Sequence, residues 1–206
     1  MPTPQEKIDS LLDKAARQYK RINKSYVDFA IEELNRLEDL LTGILLKYAD
    51  KDSKVAVSRL SRLLEEVARL RTELVTKLTE ALDTTIKESA KYGTETSSTA
   101  ITTAVNQAEE INIDFINDRV FQYVINRYGG DGLVLSDRVW RVGTEQYNAI
   151  SAALRTGIIT GKSVGSMVKD IQSVYQTDKW KVTRLVVTEG NTAFRTASSY
   201  VAQVSN

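Results

Sequence analysis

Between Gln5 and Asn206 the chain contains no proline; its two prolines, Pro2 and Pro4, both stand before any helix can start. Nothing downstream removes a backbone donor or clashes with a preceding turn, so long uninterrupted helices are permitted. The hydrophobic spacing uses that permission. Apolar residues fall at Ile8, Leu11, Leu12, Ala15, Tyr19, Ile22, Tyr26 and Phe29. The stripe continues, shifted by one position, at Ala30, Leu34, Leu37, Leu41, Ile44 and Tyr48. Steps of three and four place these on one face of a 3.6-residue period, which predicts a single helix over 5–49, roughly 65 Å long.

Asp50-Lys51-Asp52-Ser53 interrupts the pattern with residues that cap helices well. A second stripe follows at Val57, Leu60, Leu63, Leu64, Val67, Leu70, Leu74, Leu78, Leu82 and Ile86, predicting a helix to about Tyr92. So short a break folds the second helix back beside the first. Each buried leucine contributes about 1.5–3 kcal/mol. A surface Glu–Lys pair gives only about 0.2–0.5 kcal/mol, so the apolar stripe decides the pairing.

Gly93 to Thr103, GTETSSTAITT, is small and hydroxylated and reads as a linker or a capped helix start, with a short helix up to about 107–110. Asn112 then caps a helix carrying Ile113, Ile116, Val120, Tyr123, Val124 and Arg127, stopped at Gly129-Gly130. GGDGLVL predicts an ordered loop or a short β-like pair near 130–136. Ser136 is placed as the cap of a helix ending at Gly157. An elbow at Ile159–Ser163, a helix over 164–175 and a last helix from about Lys179 complete the chain. The expected fold is all-α: a long antiparallel hairpin (5–92), a Ser/Thr-rich segment with a short helix (93–111) and a smaller helical domain (112–206).

Composition narrows function. The 206 residues include no histidine and no cysteine. That removes the commonest general base, imidazole or thiolate metal sites, and disulfides. Basic and acidic groups number 28 and 27, so charge alone announces neither nucleic acid nor a membrane surface. No run of 18 apolar residues spans a bilayer, and MPTPQEKIDS lacks the features of a signal peptide. We therefore expect no catalytic residue, no cofactor and no metal.

The remaining motifs read mainly as architecture. Gly161-Lys162-Ser163 ends as a phosphate loop ends, but Thr156 occupies the required earlier glycine and a helix, not a strand, precedes it. An elbow relieved at Gly161 and capped by Ser163 fits better. Glu32-Glu33, Glu65-Glu66 and Glu109-Glu110 are sequence neighbours, which point about 100° apart on a helix and do not converge. Lys179, Trp180, Lys181 and Arg184 form a basic cluster that fits phosphate contacts or, with more weight, a helix start around a buried tryptophan. Trp140, beside Val139 and Val142, reads as core. Glu189 reads as a partly buried acid needing a cation or hydroxyl, with Arg184 five residues before it and Arg138, Arg141, Arg155 and Arg195 as candidates.

Taken in order, L-S-D-R-V-W (135–140), T-G-I-I-T-G-K-S (156–163) and R-L-V-V-T-E-G-N-T-A-F (184–194) resemble the phage head morphogenesis, or minor head protein, family. The resemblance covers roughly 112–204. It implies a minor component of a tailed-phage head, acting with the portal and other head proteins in procapsid assembly and DNA packaging or delivery. It implies a place near the portal vertex in the virion and in the host cytoplasm during assembly, as a homo-oligomer or in multiple copies, with packaged DNA as a further partner. The family's pattern falls on Arg184, Thr188 and Glu189, which with Arg138 and Trp140 are assigned structural or interaction roles; Lys179 and Lys181 are the candidate nucleic-acid contacts. Two alternatives stay open: an adaptor or delivery module of a longer toxin-bearing protein, and a DNA-binding structural protein. Family members commonly continue past the matched helix, so a chain ending at Asn206 is either a short member or a piece of something longer.

Overall fold

A computed structural model describes residues 3–105 and 111–205. The expected all-α class is what it has: five α-helices and one short 3-10 turn, with no strand among the described residues. The helices are α1 (Pro4–Tyr48), α2 (Leu60–Val105), α3 (Ile113–Asn126), α4 (Leu135–Ile159) and α5 (Val164–Val204), with the 3-10 turn at Val57–Arg59 before α2.

Helix α1 opens on a reciprocal cap. Thr3 Oγ1 accepts from the Glu6 N–H at 3.2 Å, and the Thr3 N–H donates to Glu6 at 2.7 Å. Pro4 sits at the first helical position, where a missing N–H costs nothing. At the other end Asp50 Oδ1 accepts from the N–H groups of Asp52 and Lys54, and an isolated antiparallel bridge joins Ala49 to Val55. Val55 is buried while Val57 is 62% exposed, so the second stripe packs from Leu63 rather than from Val57.

Three elements depart from the expected boundaries. The Gly93–Thr103 stretch is not a linker: α2 runs straight through it to Val105. Thr94, Thr99 and Thr103 each donate to the carbonyl four residues earlier, so their hydroxyls are satisfied inside the helix. The end of the short helix expected there, 106–110, lies outside the described residues. No β pair forms near 130–136. Gly129 donates to Leu133 O and Gly132 to Gly129 O, with Gly132 at φ 73°, closing a tight loop too short for a ladder. Helix α4 then starts at Leu135, one residue before the expected cap Ser136. Finally, the separate helices expected at 164–175 and from Lys179 are one, α5, within which the Thr177 hydroxyl is satisfied by donating to Ser173 O.

Packing divides the chain into two compact units. The terminal unit comprises Met1–Asp28, Glu80–Leu135 and Leu185–Asn206; the hairpin unit comprises Phe29–Thr79 and Ser136–Arg184. These units cut across the boundaries expected near 92 and 112, since each draws on both halves of the sequence. In the hairpin unit Leu34, Leu37, Leu41 and Leu45 of α1 are buried with Leu63, Leu70, Leu74 and Leu78 of α2. Arg36 reaches Glu73 there at 2.6 Å, fixing α1 and α2 as antiparallel neighbours. In the terminal unit the buried set is Ala15, Ala81, Leu82, Ile86, Ala90, Val186, Ala193, Ala197 and Val201, together with Ile116, Val120 and Val124 of α3.

Candidate functional site

The segment of α5 that carries the family-like text lies at the centre of the terminal unit. Helical spacing turns Val186, Glu189, Gly190, Ala193 and Ala197 inward, and all are buried. Glu189 is fully buried, a position a carboxylate keeps only with hydrogen-bonded or charged company. Arg127 supplies it: its Nη2 donates to Glu189 Oε2 at 2.9 Å and lies 3.2 Å from Thr192 Oγ1. Thr192 in turn donates to Thr188 O at 2.9 Å. Arg127 can reach because it is the C-cap of α3, in extended backbone (φ −69°, ψ 144°), where the chain leaves the helix.

Around Glu189 the neighbouring residues seat α5 against α1 and α2. Asn191 accepts from Asn23 at 3.4 Å, and the Phe194 ring stacks on Tyr19 with centroids 4.3 Å apart. A Cβ on Gly93 would stand 2.6 Å from Phe194 O, and one on Gly190 would stand 2.7 Å from Asn23 Oδ1. Both glycines are where they are because helix backbones pass too close for a side chain. The Tyr19 hydroxyl is buried near Ser89 and Asn23. Burial pushes its pKa up and these two neighbours temper the rise, although Tyr19 Oη, Asn23 Oδ1 and Ser89 Oγ close no hydrogen bond.

The other singled-out residues lie in the hairpin unit. Arg138 on α4 is 8% exposed. Trp140 is not core: it is 51% exposed, with the Arg71 guanidinium 4.6 Å from its ring and 5.4 Å from that of Tyr147. The space beneath is taken by α2, for Gly143 brings α4 so near that a Cβ would stand 2.6 Å from Val75. Trp180 is also outside the core, 63% exposed in mid-helix, with Arg184 5.4 Å from its ring. Lys181 bonds Glu145 at 2.8 Å and lies 3.4 Å from Asp178; Lys179 lies 3.7 Å from Glu38. The hydrogen bond that Lys181 donates to Glu145 raises the Lys181 pKa and holds it protonated. Asp178 is 2% exposed, and burial raises its pKa against the pull of Lys181 and Gln146. The Tyr175 hydroxyl beside them is raised as well, by burial and then by Glu38 and Asp178.

No model of a known protein family, no curated protein and no solved structure matches the chain.

What the structure assembles is thus a packing hub and a set of ion pairs. Arg184, Thr188 and Glu189 do not converge: Arg184 lies over Trp180, Thr188 is exposed, and Glu189 is held by Arg127. Among the described residues no group of three acidic side chains is placed to hold a metal ion, and no helix is long and apolar enough to cross a membrane. Sequence reasoning missed Arg127 as the partner of Glu189, although a signal was there. Arg127 falls on the apolar stripe of α3, and a cation on a buried stripe calls for a buried acid. The elbow expected at Ile159–Ser163 starts one residue later, because α4 runs past Gly157 to Ile159. Gly161 takes φ 70°, Ser163 Oγ accepts the Ser166 N–H at 3.3 Å, and α5 is tied to the α1–α2 turn by Val164 N–H to Ser53 O at 2.7 Å.

Proposed function

We propose that the chain is a structural minor head protein of a tailed bacteriophage, working with the portal in procapsid assembly and in DNA packaging or delivery. Its place would be the virion near the portal vertex, reached from the host cytoplasm during assembly. One observation carries the reading: in R-L-V-V-T-E-G-N-T-A-F the acid is fully buried on Arg127, and its neighbours seat three helices against α5. A segment used in this way supports an architectural part rather than a substrate site, and on this reading the protein performs no catalysis. Co-expression with the portal protein encoded in the same genome tests it. Co-sedimentation of the two, together with the chain in purified particles, is expected; a chain that never accompanies portal or particle overturns it.

A second reading rests on Trp180. An exposed indole with an arginine over it suits stacking against an unpaired base. Salt-dependent binding of single-stranded DNA, lost in Trp180→Ala, would favour it; no binding at low salt removes it.

A further inference from the structure

Gly43 stands inside α1 with nothing within 4 Å of the place a Cβ would occupy. Gly93, Gly143, Gly157 and Gly190 each meet a neighbour within 2.8 Å of that place, so packing inside the chain accounts for them. Gly43 has no such account, yet it costs the helix about 1 kcal/mol relative to alanine. It lies midway along an open, solvent-facing stretch of α1 that also presents Glu32, Asn35, Arg36, Asp39, Leu40, Ile44 and Lys47. Leu40 is 42% exposed; Phe29 and Leu46, also on the solvent side of α1, are 42% and 62% exposed. The gap left by the missing side chain at Gly43, flanked by Leu40 and Ile44 on a solvent-facing side of α1 among the described residues, has the form of a hole for a knob.

We propose that a second copy of this chain docks here, α1 against α1 in antiparallel sense, with the two-fold axis between Asp39 and Leu40. The charges choose the occupant and its direction. Glu32 marks one end of this stretch and Lys47 the other, roughly 23 Å apart along the helix. An antiparallel copy centred on this axis sets Lys47 of each chain against Glu32 of the other. It also carries each Arg36 over the other's Gly43, where the missing side chain makes room. Arg36 is already held by Glu33 at 2.9 Å and Glu73 at 2.6 Å, so it presents a fixed ridge rather than a free arm. A parallel copy would bring Lys47 onto Lys47 and Glu32 onto Glu32. The contact is isologous, as closed dimers require. It is small and polar-edged, and Asp39 beside the axis meets its own copy, so the association is weak, on the order of 10 µM.

Sedimentation of the full chain as a function of concentration tests the proposal, which does not depend on the head-protein reading. The wild type is expected to pass from monomer to dimer. Gly43→Gln fills the notch without an internal clash, so helix content and thermal midpoint hold while dimerisation weakens by about tenfold. Lys47→Glu and Glu32→Lys alone each weaken it by about threefold, and the two together in one chain restore it. A wild type that stays monomeric to about 0.5 mM overturns the proposal. So does a dimer indifferent to Gly43→Gln, or a charge-swapped double variant that fails to recover.

Discussion

The two units solve the same problem, burying four helical segments, with different materials. The hairpin unit does it with leucine: Leu34, Leu37, Leu41, Leu45, Leu63, Leu70, Leu74 and Leu78 are at most 4% exposed. The terminal unit sets beside Leu82, Ile86, Val186, Val201 and the buried residues of α3 a run of small ones, Ala15, Ala81, Ala90, Ala193 and Ala197, with Thr85, Ser89 and Thr94 buried among them and Arg127 paired to the buried Glu189. Large side chains hold helices by volume, and volume tolerates substitution. Small residues hold them by letting backbones approach, and close approach leaves no slack. The hairpin unit is therefore specified by how much it buries, the terminal unit by how well it fits.

The largest effect is expected where volume is removed. Leu74→Ala should cost about 3–4 kcal/mol in urea unfolding, whereas Leu74→Met, which keeps the volume, should cost less than about 1.5 kcal/mol. Equal costs would break the comparison on the hairpin side. In the terminal unit the corresponding weak point is charge. Arg127→Met takes the guanidinium from Glu189 and Thr192, and should cost about 3 kcal/mol. A stability within a few tenths of wild type would show that the pair is not what holds α3 to α5.

A single methyl group gives a sharper test. In Gly93→Ala the new Cβ meets Phe194 O at 2.6 Å, a backbone atom that cannot step aside, and about 1–2 kcal/mol should be lost despite alanine's better helix propensity. In Gly157→Ala it meets the Met167 side chain at 2.6 Å, and a methionine can swing away. That variant should lie within about 0.5 kcal/mol of wild type. Thermal melts of the two variants side by side check the contrast, and a reversed order would sink it.

The same difference governs what could be read from the sequence. The leucine stripes of α1 and α2 announce themselves by period, because large apolar residues at steps of three and four mean only one thing in a long proline-free run. Asn112 as a cap, with Phe115 N–H donating to its side chain, and Gly161 as an elbow were legible for an equally local reason. The Gly93–Thr103 stretch was not. Small hydroxylated residues look alike in a solvated linker and in a close helix crossing, and Phe194, which decides between them, stands a hundred positions away. Glu189 was legible as an acid in need of company. Its partner Arg127 was not, since the two are 62 residues apart and four other arginines were available. Trp140 and Trp180 were misplaced because indole is read as core by default. Both instead lie outside it with an arginine against the ring, and the arginine of Trp140 sits on a different helix.

The smallest expected effect concerns a buried acid of the leucine-rich unit. Asp178 is nearly inaccessible, and burial raises its pKa from the ordinary value of 3.8, more than Lys181 and Gln146 lower it. An acid whose folded pKa lies above its unfolded one favours the fold most when protonated. Its contribution is thus fully present below about 3.8 and is lost as pH rises through the raised folded value. At neutral pH, then, the ionised Asp178 is a net burden, and an amide of the same shape removes it. Asp178→Asn forgoes the contact with Lys181 at 3.4 Å, but Lys181 retains Glu145 at 2.8 Å, so little is given up. The variant should unfold at a slightly higher temperature than wild type at pH 7, and the two should approach each other as the pH is lowered toward 4. Were Asp178→Asn clearly destabilised at pH 7, the contacts with Lys181 and Gln146 would outweigh desolvation. The hairpin unit would then depend on a fitted polar contact, as the terminal unit does.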